Sequence, residues 1–171
     1  MKRIIAVSDS HGLIVNLQDA ARLALGIDKV DVFIHLGDGA ADFEAIRPLL
    51  LGYQPDMQLI SVRGNCDFSS NAPYLEEVMI NGRKIIATHG HLYHVKQGLS
   101  RLSYAARERN ASVVFFGHTH ESLMEEAYGI WMINPGAVSR GTRNGPAFAE
   151  ILFDEDGGIQ TNLVGWSGKA L

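Results

Sequence analysis

The chain has 171 residues, enough for one domain that buries roughly 70% of the surface its unfolded form would expose. With 46% hydrophobic residues and a formal net charge of -4, it has the composition of an ordinary globular protein and lacks the general basic field that long nucleic acids or anionic membranes attract. Cys66 is the only cysteine, which excludes an internal disulfide and suits a reducing compartment.

The chain opens with a short β-rich run over residues 3–7, apolar on both faces, as a strand buried in a parallel sheet would be. Ser8-Asp9 ends it too soon for a secretory h-region, and no stretch approaches about 18 apolar residues. The expectation is a cytoplasmic protein with no membrane partner. Asp9-Ser10-His11-Gly12 follows. Leu13, Leu17, Ala20, Ala21, Ala24 and Leu25 then recur at helical spacing, with Gly26 as the expected residue just past the helix end. Val30 to Leu36 is a second buried strand that stops at Gly37-Asp38. A helix from about Ala41 to Leu51 contains Pro48, which should kink or shorten it. Met57 to Val62 is a third strand, and it ends at Arg63-Gly64-Asn65-Cys66-Asp67.

This β-α-β-α-β order implies a parallel sheet with right-handed crossovers and function at the carboxyl ends of its strands. The pattern then changes. Leu75–Ile80 and Lys84–Thr88 flank Asn81-Gly82, a strong hairpin signal, and the second arm ends at His89-Gly90-His91. A helix is expected over 95–109, with Leu99, Leu102 and Ala106 on one face. A strand over 111–116 then runs into Gly117-His118-Thr119-His120. Leu123–Tyr128 and Ile130–Ile133 meet at Gly129; Ala147–Phe153 and Ile159–Val164 meet through Asp154-Glu155-Asp156-Gly157-Gly158. Residues 165–171 read as a frayed tail. The expected fold class is α/β, two mixed sheets packed face to face with helices outside, as one domain over 1–171.

Five strand ends carry candidate ligands. Alone, each has a plain alternative. Asp9-x-His11 suits a turn with a surface histidine, Gly37-Asp38 suits a helix cap, and Asn65 suits a turn. The pairs His89-x-His91 and His118-x-His120 have fewer such alternatives. In an extended or looping backbone, the i, i+2 spacing of His118 and His120 aims both rings the same way. Because strand ends gather at one sheet edge, two carboxylates, an amide oxygen and several imidazoles should converge there. That mixture suits Mn²⁺, Fe²⁺, Ni²⁺ or Zn²⁺ and is poor for Ca²⁺. Seven ligands exceed one tetrahedral ion and fit two ions sharing a carboxylate.

Asp9-Ser10-His11, Gly37-Asp38, Gly64-Asn65-Cys66-Asp67, His89-Gly90-His91 and Gly117-His118-Thr119-His120 together resemble the motifs of the calcineurin-like metallophosphoesterases, in the same order. The likeness is strongest to the compact prokaryotic phosphodiesterase subgroup, which is also similar to the retromer subunit Vps29. It implies a dinuclear phosphodiesterase, with manganese the first expectation. Asp9, His11 and His120 would hold one ion, Asn65, His89 and His118 the other, and Asp38 would bridge them. The implied nucleophile is a hydroxide between the ions, and the implied substrate is a small or nucleotide-like phosphoester. Many members carry histidine where Cys66 stands, so the proton donor to the leaving group is open between His91 and Cys66, and Cys66 also suits a small residue without chemistry. His35 and His94 read as structural or surface histidines. Asn134-Pro135-Gly136 would support the ligand shell or simply turn the chain, and Arg140 and Arg143 would grip phosphate or lie solvated. The alternative function is a non-catalytic scaffold like Vps29. Long nucleic acid is not expected as a partner; the choice between monomer and homo-oligomer stays open.

Overall fold

The computed structural model describes residues 1–139, 145–156 and 158–165. Among the described residues, ten strands form two five-stranded mixed sheets. In the first, β1 (Lys2–Val7), β2 (Val32–His35) and β3 (Gln58–Ser61) run parallel, while β9 (Ala147–Phe153) pairs antiparallel with β1 and β10 (Ile159–Gly165) with β9. In the second, β5 (Arg83–Thr88), β6 (Val113–Phe115) and β8 (Ile130–Pro135) run parallel. Their flanks are β4 (Leu75–Ile80) and β7 (Ser122–Ala127), both antiparallel.

The two-residue period of each strand divides its side chains between two layers. Ile4 and Ala6 of β1 join Ile34, Ile85, Phe115 and Ile151 in the core between the sheets. Ile5 and Val7 face outward onto α1 (Ile14–Ile27) and α2 (Ala40–Tyr53). On the far side, Ile86, Val114 and Met132 pack against Leu102 and Ala106 of α3 (Ser100–Glu108). The result is the expected α/β/β/α layering. Burial on both faces explains why these strands read as continuous apolar runs.

The hairpin at Asn81-Gly82 forms with both residues at positive φ, 47° and 73°, as a primed two-residue turn demands. Other boundaries differ from expectation. Gly26 lies inside α1, and Asp28 beyond its end is extended. The helix needs no glycine to close it, because the buried Arg3 guanidinium reaches across and donates Nη1–H to the carbonyls of Ala24 and Asp28, both at 2.7 Å. Arg3 is itself held by Glu150 at 2.7 Å. Pro48 sits within α2 without shortening it, since the helix runs on to Tyr53. The helix expected over 95–109 begins only at Ser100. Two 3-10 turns, His91–Tyr93 and Val95–Gln97, precede it, and Gly98 at φ 133° is outside the helical region. The tail and the loop bearing Arg140 and Arg143 fall outside the described residues, apart from Gly165 at the end of β10.

His35, at the end of β2, is fully buried and stacks on Phe43 of α2 at 5.4 Å between centroids. Its Nδ1 accepts the Gly37 N–H at 3.2 Å, so the proton sits on Nε2, which has no partner among the described residues. Burial pushes its pKa down to about 4. Below about pH 6.5 the unfolded chain binds a proton here that the folded chain refuses, so stability falls as pH falls. Between pH 7 and 5 this residue should account for about 2 kcal/mol of lost stability in the metal-free protein. His35→Asn, which keeps an acceptor for Gly37, should shrink the pH 7-to-5 difference in urea-unfolding free energy by a similar amount. An unchanged difference would rule out His35 as the source. His94, by contrast, is exposed, with left-handed backbone at φ 54°.

Candidate metal centre

The carboxyl ends of β1, β2, β5, β6 and β8 open at one edge, with the loop after β3 beside them. Asp9, His11, Asp38, His118 and His120 all take left-handed backbone, with φ between 46° and 68°. Aspartate and histidine tolerate that region better than branched residues, yet such strain persists only where surrounding structure over-determines it. Here the loops are stitched together. Asp9 N–H donates to Gly37 O at 3.0 Å, His11 N–H to Asp38 O at 2.9 Å, and Gly117 N–H to His89 O at 3.1 Å.

The side chains gather in two groups. Around Asp9 Oδ1, His120 Nε2 stands at 3.1 Å and His11 Nε2 at 3.5 Å, and the two imidazole nitrogens are 3.2 Å apart. In the second group, His89 Nε2 lies 3.4 Å from Asp38 Oδ2 and 3.2 Å from Asn65 Oδ1, and the His118 ring is 5.0 Å from that of His89. Asp38 Oδ2 is also 3.8 Å from His11 Nε2, so this carboxylate faces both groups. The ligand atoms of Asp9, His11 and His120 fall within 4.8 Å of one another, as do those of Asp38, His89 and His118.

His118 and His120 therefore do not aim the same way, contrary to the extended-backbone expectation. Both residues are left-handed rather than extended, and each ring turns to a different group. His91 lies beside the second group, its ring 5.3 Å from His89 and 6.1 Å from His118, and belongs to neither ligand group; its Nδ1 is buried without a partner among the described residues. Cys66 is exposed, and its N–H donates to Asp38 Oδ1 at 2.7 Å.

The hydrogen bonding of this cluster fits a cation. Asp9 is fully buried, and its Oδ2 accepts Ser8 Oγ–H at 2.6 Å and His118 N–H at 3.1 Å. Its Oδ1 has no hydrogen bond among the described residues, although three imidazole nitrogens crowd it, His89 Nε2 the farthest at 4.0 Å. His89 Nδ1 donates to Leu36 O at 2.7 Å, which turns the Nε2 lone pair toward two oxygen acceptors. Acceptors converging on acceptors are satisfied by a proton or by a metal ion, and carboxylate, amide oxygen and imidazole are the donors that borderline divalent ions take. The electrostatics agree. Burial alone would raise the Asp9 and Asp38 carboxyls. The neighbouring imidazoles instead hold Asp9 well below the usual range, and His89 with the Cys66 N–H holds Asp38 at about 2. Burial and His89 push His118 down to about 4, so it is a neutral ligand at pH 7.

Further residues support the ligands, and of these Asp67, Gly64 and Asp42 have no role assigned from the sequence. Asp67 stands outside both groups, but its carboxylate accepts four backbone N–H groups, those of Asp38, Gly39, Ala40 and Gly64, at 2.7–2.9 Å. It caps α2 from a distant loop and locks the Asp38 turn. Gly64 must be glycine, because a Cβ there would collide with Asp38 Oδ1 and its backbone nitrogen. Asp42 accepts Ser10 Oγ–H at 2.6 Å and Gly12 N–H at 2.8 Å, fastening the His11 loop. Buried Asn134 donates to Gly117 O and Thr119 Oγ1, both at 3.0 Å, which is the support expected of that loop. Of these, only the Gly64–Asp67 spacing could have signalled its role locally, as a turn aspartate.

Residues 1–156 match the calcineurin-like phosphoesterase superfamily domain. Among curated relatives, the chain is 39% identical over 137 residues to "Probable metallophosphoesterase YsnB" of Bacillus subtilis (strain 168), a match covering 79% of this chain and 74% of that protein. It is 32% identical over 107 residues to "Phosphodiesterase YfcE" of Escherichia coli (strain K12), covering 57% of this chain and about half (54%) of YfcE. Among solved structures, a conserved uncharacterized protein from Streptococcus pneumoniae TIGR4, described as a predicted phosphoesterase, superposes with a TM-score of 0.80 at 29% identity, covering 99% of this chain and 92% of that one. Vps29 from Entamoeba histolytica, complexed with Zn²⁺, superposes with a TM-score of 0.69 at 18% identity, covering 96% of this chain and 99% of that one, which shows a shared fold.

Proposed function

The chain belongs to the calcineurin-like phosphoesterase superfamily, and from that premise we propose that it is a divalent-cation-dependent hydrolase of phosphoric diesters. Asp9, His11 and His120 hold one ion, Asn65, His89 and His118 a second, and Asp38 serves both. The observation that carries this reading is the buried Asp9 Oδ1, without a hydrogen bond and ringed by imidazole nitrogens. When bound, such a pair of ions supplies Lewis acidity and a lowered pKa for water at neutral pH.

The chain's own residues do the rest. The Leu36 carbonyl fixes the tautomer of His89, and Ser8 and the His118 N–H fix the rotamer of Asp9. Asp67 fixes Asp38 through the backbone. His91 and Cys66 are the two protic side chains at the rim that neither ligand triad needs, and proton delivery to the leaving oxygen falls to one of them. Beside Cys66 and Asp67 opens a cavity of about 660 Å³, lined also by Ala40, Ala41, Arg47 and the highly exposed Phe68. Its size and mostly apolar wall suit one substituent of a small or nucleotide-like diester.

Protein stripped with a chelator should not hydrolyse bis(p-nitrophenyl) phosphate. Adding Mn²⁺, Ni²⁺, Fe²⁺ or Zn²⁺ in turn should raise the melting temperature, and at least one ion should restore turnover. At 100 times its Kd an ion adds about 2.7 kcal/mol of stability. A melting temperature indifferent to every ion, with no turnover of any diester, would leave a scaffold role like that of Vps29 as the better reading. Against that alternative stands the full donor set. No helix among the described residues is long and apolar enough to cross a membrane.

A further inference from the structure

A third set of donors overlaps the two groups. The sulfur of Cys66, a ring nitrogen of His11 and a carboxylate oxygen of Asp38 lie within 4.8 Å of one another. His11 belongs to the group around Asp9, and Asp38 faces both groups, so the sulfur stands over their junction. Its position is held from two sides. Cys66 N–H occupies Asp38 Oδ1, which leaves Oδ2 for the imidazoles. Asn65 Nδ2–H points at Cys66 Sγ at 3.2 Å, while the oxygen of the same amide faces His89. On the His11 side, the buried Asp9 Oδ1 is an acceptor without a donor, an independent mark that this corner is built for a cation.

We propose that Cys66 is a metal-selecting ligand: it joins His11 and Asp38 on thiophilic ions such as Zn²⁺ and Cd²⁺ and stays disengaged from harder ions such as Mn²⁺. The inference rests on the cation-binding reading above and adds Cys66, there a candidate only for proton delivery, to the metal donors. Softness decides the difference. Thiolate ranks among the strongest ligands for Zn²⁺ and its heavier relatives, whereas Mn²⁺ prefers carboxylate, carbonyl and water oxygen. Coordination exchanges one bond for another without redox. The S–H bond breaks, the proton leaves to solvent, and the sulfur lone pair goes to the ion. An ion closed by sulfur also loses an open position, so the same side chain separates ions that are retained from ions that leave the site free for substrate.

The test is a Cd²⁺ titration of the chelated full chain, read by the ultraviolet thiolate-to-cadmium charge-transfer absorption and by calorimetry, with Mn²⁺ in parallel. Because Cys66 is the only cysteine, the absorption has a single possible source. The expected result is a saturating charge-transfer band in the wild type. In Cys66→Ser, Cd²⁺ binding should continue without the band and weaken by at least about tenfold, with Mn²⁺ affinity within twofold of the wild type. Tight Cd²⁺ binding without the band overturns the inference and leaves the cation site standing. Equal loss of Cd²⁺ and Mn²⁺ affinity in the variant also overturns it, because the role would then be positional. No Cd²⁺ or Mn²⁺ binding by the wild type sinks both readings together.

Discussion

Asp38→Asn should remove diester hydrolysis, by at least about 100-fold and more than the loss expected for a supporting residue. Asp38 Oδ1 accepts the Cys66 N–H at 2.7 Å, and an asparagine carbonyl oxygen can keep that bond. The other position is where the change acts. Oδ2 faces His89 Nε2 at 3.4 Å and His11 Nε2 at 3.8 Å, so an amide NH₂ there puts two donor hydrogens and no charge where a cation needs a lone pair. Because His89 and the Cys66 N–H favour the Asp38 charge more than burial penalises it, the metal-free variant should melt somewhat below the wild type while still unfolding cooperatively. The two readouts separate site from fold. Turnover of bis(p-nitrophenyl) phosphate should vanish, and the rise in melting temperature on adding Mn²⁺ should shrink. A variant with wild-type turnover would mean that Asp38 is not shared between cations.

Asp67→Ala should be the most damaging change outside the ligand groups. It deprives four backbone N–H groups of one carboxylate, at the first turn of α2 and in the Asp38 and Gly64 loops. Bonds to a charged acceptor contribute about 1.5–3 kcal/mol each when buried. Asp67 is only partly buried and water can replace part of the loss, so roughly 3 kcal/mol in total is expected in urea unfolding. Burial raises the pKa of Asp67, but the four N–H groups outweigh it and lower the value. Its contribution is therefore present above the unfolded carboxylate pKa near 3.9 and is lost as pH falls through the lower folded value. Asp67→Asn should rescue only in part, since one amide oxygen can serve Gly39 and Ala40 while the NH₂ meets the N–H groups of Asp38 and Gly64 donor to donor. Cation affinity should fall with stability, by about 10–100-fold, because Asp38 is aimed by the turn that Asp67 locks. Unchanged stability and unchanged affinity in Asp67→Ala would show that solvent satisfies those four groups unaided.

Much of this was legible because it is local. A strand buried on both faces must be apolar throughout, so β1 and β2 announce themselves, and so does the abrupt change to polar residues at their carboxyl ends. Asn81-Gly82 dictates its turn because few residues accept two successive positive φ values. Helix starts and stops were less legible. Gly26 lies inside α1 because a distant arginine serves the last carbonyls, and α3 starts late because Gly98 leaves the helical region.

The amino-acid sequence by itself determined the donors and their order: Asp9, His11, Asp38, Asn65, His89, His118 and His120, each at the end of an apolar run or in the loop that follows it. Their division into two groups followed from the likeness of motifs to a family, not from spacing, since an extended i, i+2 pair would have sent His118 and His120 to the same ion. Only the tertiary structure decided that those two rings part, that Asp9 Oδ1 is left without a donor, that Asp67 caps a helix 27 residues before it, and that β9 returns to pair with β1. Periodicity and turn chemistry act over a few residues and can be read along the chain. Which loops meet depends on sheet order and on the packing of two apolar faces, and those are settled only when segments far apart in sequence bury each other.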